Sequence, residues 1–302
     1  MARVSRIAAS ASLMLLKSVA DGLTPGDRSY LARQLMRDRF GPKTRALGDL
    51  FNKSIHAWKN KQYRVRENGE GELLRRLAPF NPEILFDVGA NVGHWTNAAC
   101  MHLSDTRVHA FEIAPPTAES FAVNTAQFSH RVQLNTVGLG NSEGEITLFF
   151  TPESNTATTT VEGVAEISAQ DHGIHTIEKL KAKITTGDQY MRAHGVSHID
   201  FLKIDVEGAE WDVLQGFSGA FADRKIDMVQ FEYGPLSLKT RVLLEDFWKF
   251  FDQNGFEVGK LYPEGVAFKH FEYSDEDFVG PNFVAVHKSR RDLIEHLRCE
   301  VL

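Results

Sequence analysis

From Ile84 to His287 the chain alternates short, mostly apolar runs with longer stretches in which apolar residues recur every three or four positions. The first kind suits a strand buried on both faces, the second a helix lying on a sheet. Ile84–Val88, Arg107–Phe111, Val132–Val137, Ile199–Asp205 and Ile226–Tyr233 read as parallel strands. Phe256–Leu261 and Asn282–His287 read as a terminal pair. Helical periodicity covers Trp95–Leu103, Ala114–Ala126, a segment ending near Leu214, and Leu243–Asn254. This order predicts the α/β class: a Rossmann-like, doubly wound, mostly parallel seven-stranded sheet, with Glu145–Phe150 as an added strand.

The pattern divides the chain into a helical extension over residues 1–65, a main domain over 66–290 and a helical tail over 291–302. In the extension, Leu31, Leu35 and Met36 are interleaved with Arg28, Arg33, Arg37 and Arg39. Such a helix suits an anionic substrate, a membrane surface or, most plainly, solvent. Ile7–Val19 is short, contains serine and is cut by Lys17, so an amphipathic helix is expected there rather than an export signal or a bilayer span. Residues 151–183 break the alternation. Threonine-rich Thr151–Thr160 is expected to be a loop over the acceptor, followed by an irregular helix.

Composition narrows the partners. At 302 residues, with a formal charge of -6, the chain lacks the broad basic character that a nucleic-acid partner requires. Its two cysteines, Cys100 and Cys299, are far apart and fit neither a disulfide framework nor a metal knuckle. That usage suits a reducing compartment, here taken as cytoplasmic. No run is apolar for long enough to be transmembrane, and homo-oligomerisation is left open.

The candidate chemistry starts at Asp87-Val88-Gly89-Ala90-Asn91-Val92-Gly93. A strand running into a glycine turn and then a helix presents free N–H groups and a positive dipole to a ligand above the strand. Glycine is expected in that turn so that a ligand can approach the backbone. The spacing is Asp-x-Gly-x-x-x-Gly, without the third glycine of a dinucleotide fingerprint. Nineteen residues after Gly93, the second strand ends in Glu112, placed to hold two ribose hydroxyls. Two other strand ends carry acids, Asp205 and Glu232. Alternation pairs Lys203 with Asp205 and Gln230 with Glu232 on their strand faces.

Four segments in order carry a resemblance to a known family: Phe86–Gly93, Ala110-Phe111-Glu112, Gly138–Glu145, and Asp200-Phe201-Leu202-Lys203-Ile204-Asp205-Val206-Glu207-Gly208-Ala209-Glu210. Together they resemble the FkbM-family class I S-adenosylmethionine (SAM) methyltransferases over about residues 66–290. Thr186-Gly187-Asp188 departs from the Thr-Leu-Asp common at that junction. The resemblance implies SAM-dependent O-methylation of a sugar or natural-product hydroxyl. It maps cofactor contacts onto Asp87, Gly89, Asn91, Gly93 and Glu112, and the acceptor edge onto Asp205 and Glu207.

An alcohol acceptor must lose its proton around the time of attack, to a positioned carboxylate or histidine or with help from a divalent metal. Asp205 is the first choice as base or metal ligand, and Glu207 and Glu232 complete a hard oxygen set that would take Mg²⁺ at Asp205 and Glu232. His94 is a weaker candidate. Two readings compete: a Rossmann-like binding protein without catalysis, and a nicotinamide-dependent oxidoreductase, which the missing glycine and the lack of a Tyr-x-x-x-Lys pair disfavour.

Overall fold

A computed structural model describes residues 17–18, 21–151, 154–161, 163, 166 and 177–299. The chain forms two units, Met1–Trp58 and Lys59–Leu302. The expected helix at 7–19 lies almost wholly outside the described residues.

The first unit holds helices α1 (Pro25–Leu35) and α2 (Pro42–Trp58). Thr24 caps α1 by accepting from the Asp27 amide at 3.2 Å, and the Asp27 carboxylate accepts from the Thr24 amide at 3.1 Å. This reciprocal box satisfies two otherwise free donors. Neither helix contains a buried residue.

The second unit runs α3 (Glu70–Leu77), β1 (Ile84–Val88), α4 (His94–His102), β2 (Arg107–Phe111), α5 (Pro115–Asn124), β3 (Val132–Asn135), β4 (Gly138–Leu139), β5 (Gly144–Thr151), β6 (Ser154–Thr159), β7 (Glu178–Thr185) and α6 (Gly187–His194). It continues with β8 (Ile199–Ile204), α7 (Glu210–Gly216), α8 (Ser218–Ala222), β9 (Ile226–Glu232), α9 (Ser237–Thr240), α10 (Leu244–Gln253), β10 (Phe256–Tyr262), β11 (Gly265–Phe268), β12 (Asn282–His287) and α11 (Arg291–Leu297). The main sheet has the order β11-β10-β12-β9-β8-β1-β2-β3. β3, β2, β1, β8 and β9 are parallel, and β12, β10 and β11 are added antiparallel. The chain winds outward from β1 toward β3 and then returns to β8, so the topological switch lies between β1 and β8, where ligands of such sheets bind.

Both faces of the sheet are covered. On one, Phe86, Leu202, Phe231 and Phe283 pack with Phe217, Phe247 and Phe251. On the other, Leu85, Phe201, Met228 and Val284 meet Leu73, Leu74, Trp95 and Leu293. Double coverage is why these strands read as apolar runs rather than as alternating ones.

The structure departs from the sequence reading in four places. The main sheet has eight strands instead of seven, because β11 folds back on β10 through a tight turn at Tyr262–Gly265. Residues 138–185 build a second sheet, β4-β7-β5-β6, so β7 replaces the end of the expected irregular segment and β6 pairs with β5 inside the expected threonine loop. Residues 152–153 and most of 162–176 lie outside the described residues.

The other two departures concern boundaries. The extension ends at residue 58, not 65: Asn60 is buried and donates to the carbonyls of Asn68 and Leu261 at 2.8 and 2.9 Å, which ties its segment to the second unit. The expected tail is not an appendage either, since Leu293, Ile294 and Leu297 of α11 are core residues.

Candidate active site

β1 and β8 exchange the bonds that set the site: Asp205 N–H donates to the Val88 carbonyl at 2.9 Å as the two strands end side by side. The chain then turns at Gly89, with φ 79°, and at Asn91, with φ 48°. A Cβ on Gly89 would lie 1.7 Å from the Asp205 carbonyl oxygen. Gly93 has φ 88°, and a Cβ there would meet Thr125 at 2.7 Å and the Phe121 ring at 3.1 Å. Both glycines therefore make room for the protein itself, β8 in one case and α5 in the other. The close approach seen in the structure is strand to strand and helix to helix.

Beneath the turn lies a buried ion pair. Asp87 is fully buried, and its Oδ1 sits 3.1 Å from Lys203 Nζ, while Oδ2 accepts from the Thr96 hydroxyl at 2.6 Å. Lys203 also donates to the Gly89 carbonyl at 3.0 Å and lies 3.4 Å from Asp205. Burial alone would favour the neutral amine, but Asp87, Asp205 and Glu70 more than offset it and hold the Lys203 pKa above its ordinary value. The lysine thereby ties the two strand ends and the turn together.

A cavity of about 310 Å³ opens above this pair. Gly89, Asn91, Glu112, Lys203, Asp205 and Glu207 all border it. Asp87 and Gly93 do not; they support the turn from below and behind. Glu112 accepts from the amides of Asn91 and Ala114, each at 2.9 Å. Burial raises its pKa and those two bonds oppose the rise. A carboxylate has about four acceptor positions, so two remain for a ligand's hydroxyls.

Three acids meet where β8 and β9 end, two of them, Asp205 and Glu207, bordering the cavity. Asp205, Glu207 and Glu232 each place a carboxylate oxygen within 4.8 Å of the other two. Like charges this close cannot all stay ionised in a partly dry site. Burial first, then Asp205 and Glu210, push Glu207 up to about 8. Burial, then Asp205 and Glu207, hold Glu232 well above the carboxylate range, and Glu232 hydrogen-bonds to Asp205. Glu207 itself sits at φ 54°, in the left-handed region. Its strained turn is braced from two sides: Glu210 accepts from the amides of Val206 and Gly208 at 3.0 to 3.2 Å, and the Thr159 hydroxyl donates to the Glu207 carbonyl at 2.7 Å. His94 also borders the cavity, at its outer edge on the first turn of α4.

Sequence reasoning missed several residues of this site. Glu70 is buried behind Lys203, bonded to Asn68 and Gln230 at 2.6 Å each, and its pKa is raised by burial. Tyr63, assigned from sequence to the extension, borders the cavity beside Glu207 and Glu232. Ile146 and Leu148 reach it from the second sheet. Short-range pattern carries no signal for these residues, because strand pairing or tertiary packing brings each of them to the site.

A doubly wound sheet with its cavity at the β1–β8 switch point, a glycine turn on β1 and an acid at the end of β2 defines a nucleotide-cofactor-binding α/β protein of the class I methyltransferase type. The sequence profile described as Methyltransferase FkbM domain matches residues 87–258, more than half of the chain. The chain belongs to the FkbM methyltransferase family. It is 29% identical over 175 residues to the hexuronic acid methyltransferase AglP of Haloferax volcanii, a match covering 57% of this chain and 66% of that protein. It is 28% identical over 152 residues to Methyltransferase 1 of Beauveria bassiana, covering 46% and 61%. The chain thus spans less than two thirds of either relative's length. A solved SAM-dependent O-methyltransferase from Thermotoga maritima superposes with a TM-score of 0.38 at 12% identity, over 74% of this chain and 66% of that one. At that score the likeness says nothing about activity.

Proposed function

We propose that the protein is a SAM-dependent O-methyltransferase acting on a hydroxyl of a sugar or related natural product. The observation that carries this reading is the convergence of Asp205, Glu207 and Glu232 beside a cavity whose floor is the β1 glycine turn. Family membership supports the cofactor, and the hexuronic acid methyltransferase relative supports a carbohydrate acceptor.

The residues fit the cofactor. Gly89 and Asn91 border the cavity where the turn offers backbone groups, and Glu112 keeps acceptor capacity for a ribose. Bound SAM supplies an electrophilic methyl group on a cationic sulfonium. The protein's part is to align the acceptor, exclude water and take its proton. Asp205, 3.4 Å from Lys203, is the base, and Lys203 fixes its direction. Glu207, its carboxyl pushed up to about 8, holds a proton at neutral pH and donates to the acceptor's other oxygens, while Glu232 hydrogen-bonds to Asp205. The same three carboxylates fit Mg²⁺ by donor type, a set of hard oxygens close together; there the ion would replace the shared protons and acidify the hydroxyl.

A thermal-shift panel tests the cofactor. SAM and S-adenosylhomocysteine at a hundredfold excess over Kd should stabilise the fold by about 2.7 kcal/mol, with NAD and NADP inert. Stabilisation by NAD alone would reject the reading in favour of an oxidoreductase, and no response to any of the four would favour a binding protein without catalysis. Loss of turnover in EDTA and its return with Mg²⁺ would assign the metal role, and turnover unchanged in EDTA would leave Asp205 as a metal-free base.

A further inference from the structure

The first unit carries a surface that the proposed chemistry does not use. In α2, Leu47, Leu50, Phe51, Ile55 and Trp58 recur at helical spacing on one face. Leu50 is 55% exposed and Trp58 66%. Tyr30, Leu35 and Phe40 are exposed in the preceding segment. Two helices that bury no residue supply no core to stabilise themselves, and isolated helices of 11 and 17 residues are marginal in water. Something must cover this stripe.

Charge indicates what it is. Residues 1–58 hold ten lysines and arginines against four aspartates, a formal charge of +6, while residues 59–302 hold 24 against 36, or -12. On α2 the polar face carries Arg45, Lys53 and His56, with Asp49 as its one acid, paired to Lys53 at 2.8 Å. An apolar stripe with aromatic residues, backed by a basic polar face, is the pattern of a helix lying in the plane of an anionic bilayer surface. Self-association through the same face would set +6 against +6, and a phosphate backbone offers the apolar stripe nothing.

We propose that the 17–58 segment docks the protein on an anionic lipid surface through the Leu47–Trp58 stripe of α2, with Arg45 and Lys53 meeting the headgroups. A surface-bound enzyme of this kind meets acceptors that are themselves presented at a membrane.

Flotation of the full chain with vesicles tests this without any methylation assay, so it can fail independently of the proposed reaction. The chain should float with phosphatidylcholine vesicles containing phosphatidylglycerol, float far less with phosphatidylcholine alone, and be released by salt. Arg45→Gln and Lys53→Gln should each weaken binding about fivefold, and Phe51→Asp with Ile55→Asp should abolish it while the melting temperature of the second unit is unchanged. Flotation that is absent, or equal in wild type and Phe51→Asp/Ile55→Asp, overturns the proposal. So does light scattering that shows a dimer dissolved by that double variant without vesicle binding, which would assign the stripe to a second copy. Should the double variant fail to fold, the salt and lipid dependence of the wild type decides.

Discussion

Replacing the charge of Asp205 separates its catalytic role from a structural one, because the structure supplies a comparison in Asp87. Both aspartates face Lys203, Asp87 at 3.1 Å and Asp205 at 3.4 Å, but the Asp87 side chain is 0% exposed and that of Asp205 is 39%. Asp87→Asn leaves a buried ammonium without its buried partner, which costs about 3–5 kcal/mol. In Asp205→Asn, Lys203 keeps Asp87 and the Gly89 carbonyl. The lost pair is partly solvated and contributes about 1 kcal/mol or less. Removing that negative charge also relieves Glu207 and Glu232, whose pKa values Asp205 raises.

The net cost of Asp205→Asn is therefore small: a melting temperature within about 3 °C of wild type, against a fall of about 10 °C for Asp87→Asn. Turnover of Asp205→Asn should fall about 100-fold or more, as for loss of a general base. The assay is release of S-adenosylhomocysteine with an accepted sugar, beside a melting curve for each variant. A stable Asp205→Asn with near-normal turnover removes Asp205 from the mechanism. A variant as unstable as Asp87→Asn shows that the carboxylate serves chiefly to neutralise Lys203.

Three further outcomes follow from the same geometry. Gly89→Ala should cost about 3 kcal/mol or more, because its Cβ meets the Asp205 carbonyl at 1.7 Å and φ is positive; urea denaturation unchanged from wild type would refute the strand-contact account of this glycine. Glu112→Ala should weaken SAM by about 1.5–3 kcal/mol in calorimetry, and unchanged affinity would place the ribose elsewhere. His198, hydrogen-bonded to Asp227 at 3.3 Å, has its pKa raised by that bond against partial burial, with Asp200 adding to the rise and Arg290 opposing it. The folded state then holds the extra proton, so this contribution is complete below the ordinary histidine pKa of about 6.5. It fades as pH rises through the higher folded value. The stability difference between wild type and His198→Gln should shrink across that window, and a difference independent of pH would exclude the pair.

The strands, the order of helices and the position of the cavity were legible in the sequence because each rests on local chemistry. Five parallel strands announce themselves as apolar runs since both sheet faces are covered, and Asp87, Glu112, Asp205 and Glu232 stand at strand ends, where such sheets bind ligands. The added sheet was legible only in its β5 strand, expected at Glu145–Phe150; its partners β6 and β7 lie in the segment read as a loop and irregular helix, and only their pairing with β5 shows that they belong to one sheet. β11, which depends on a tight turn back to β10, was not legible.

At the site, alternation along β8 put Lys203 and Asp205 on one side but could not choose the lysine's partner. That required the register of β1 against β8, which sets Asp87 directly opposite Lys203. The glycines show the division most clearly. Their spacing could be read as a cofactor turn, yet the reason each must be glycine lies in β8 for Gly89 and in α5 for Gly93, segments distant in sequence and close only in the folded chain. Local pattern determines which elements form, and steric contact between remote segments decides which side chain each position can hold.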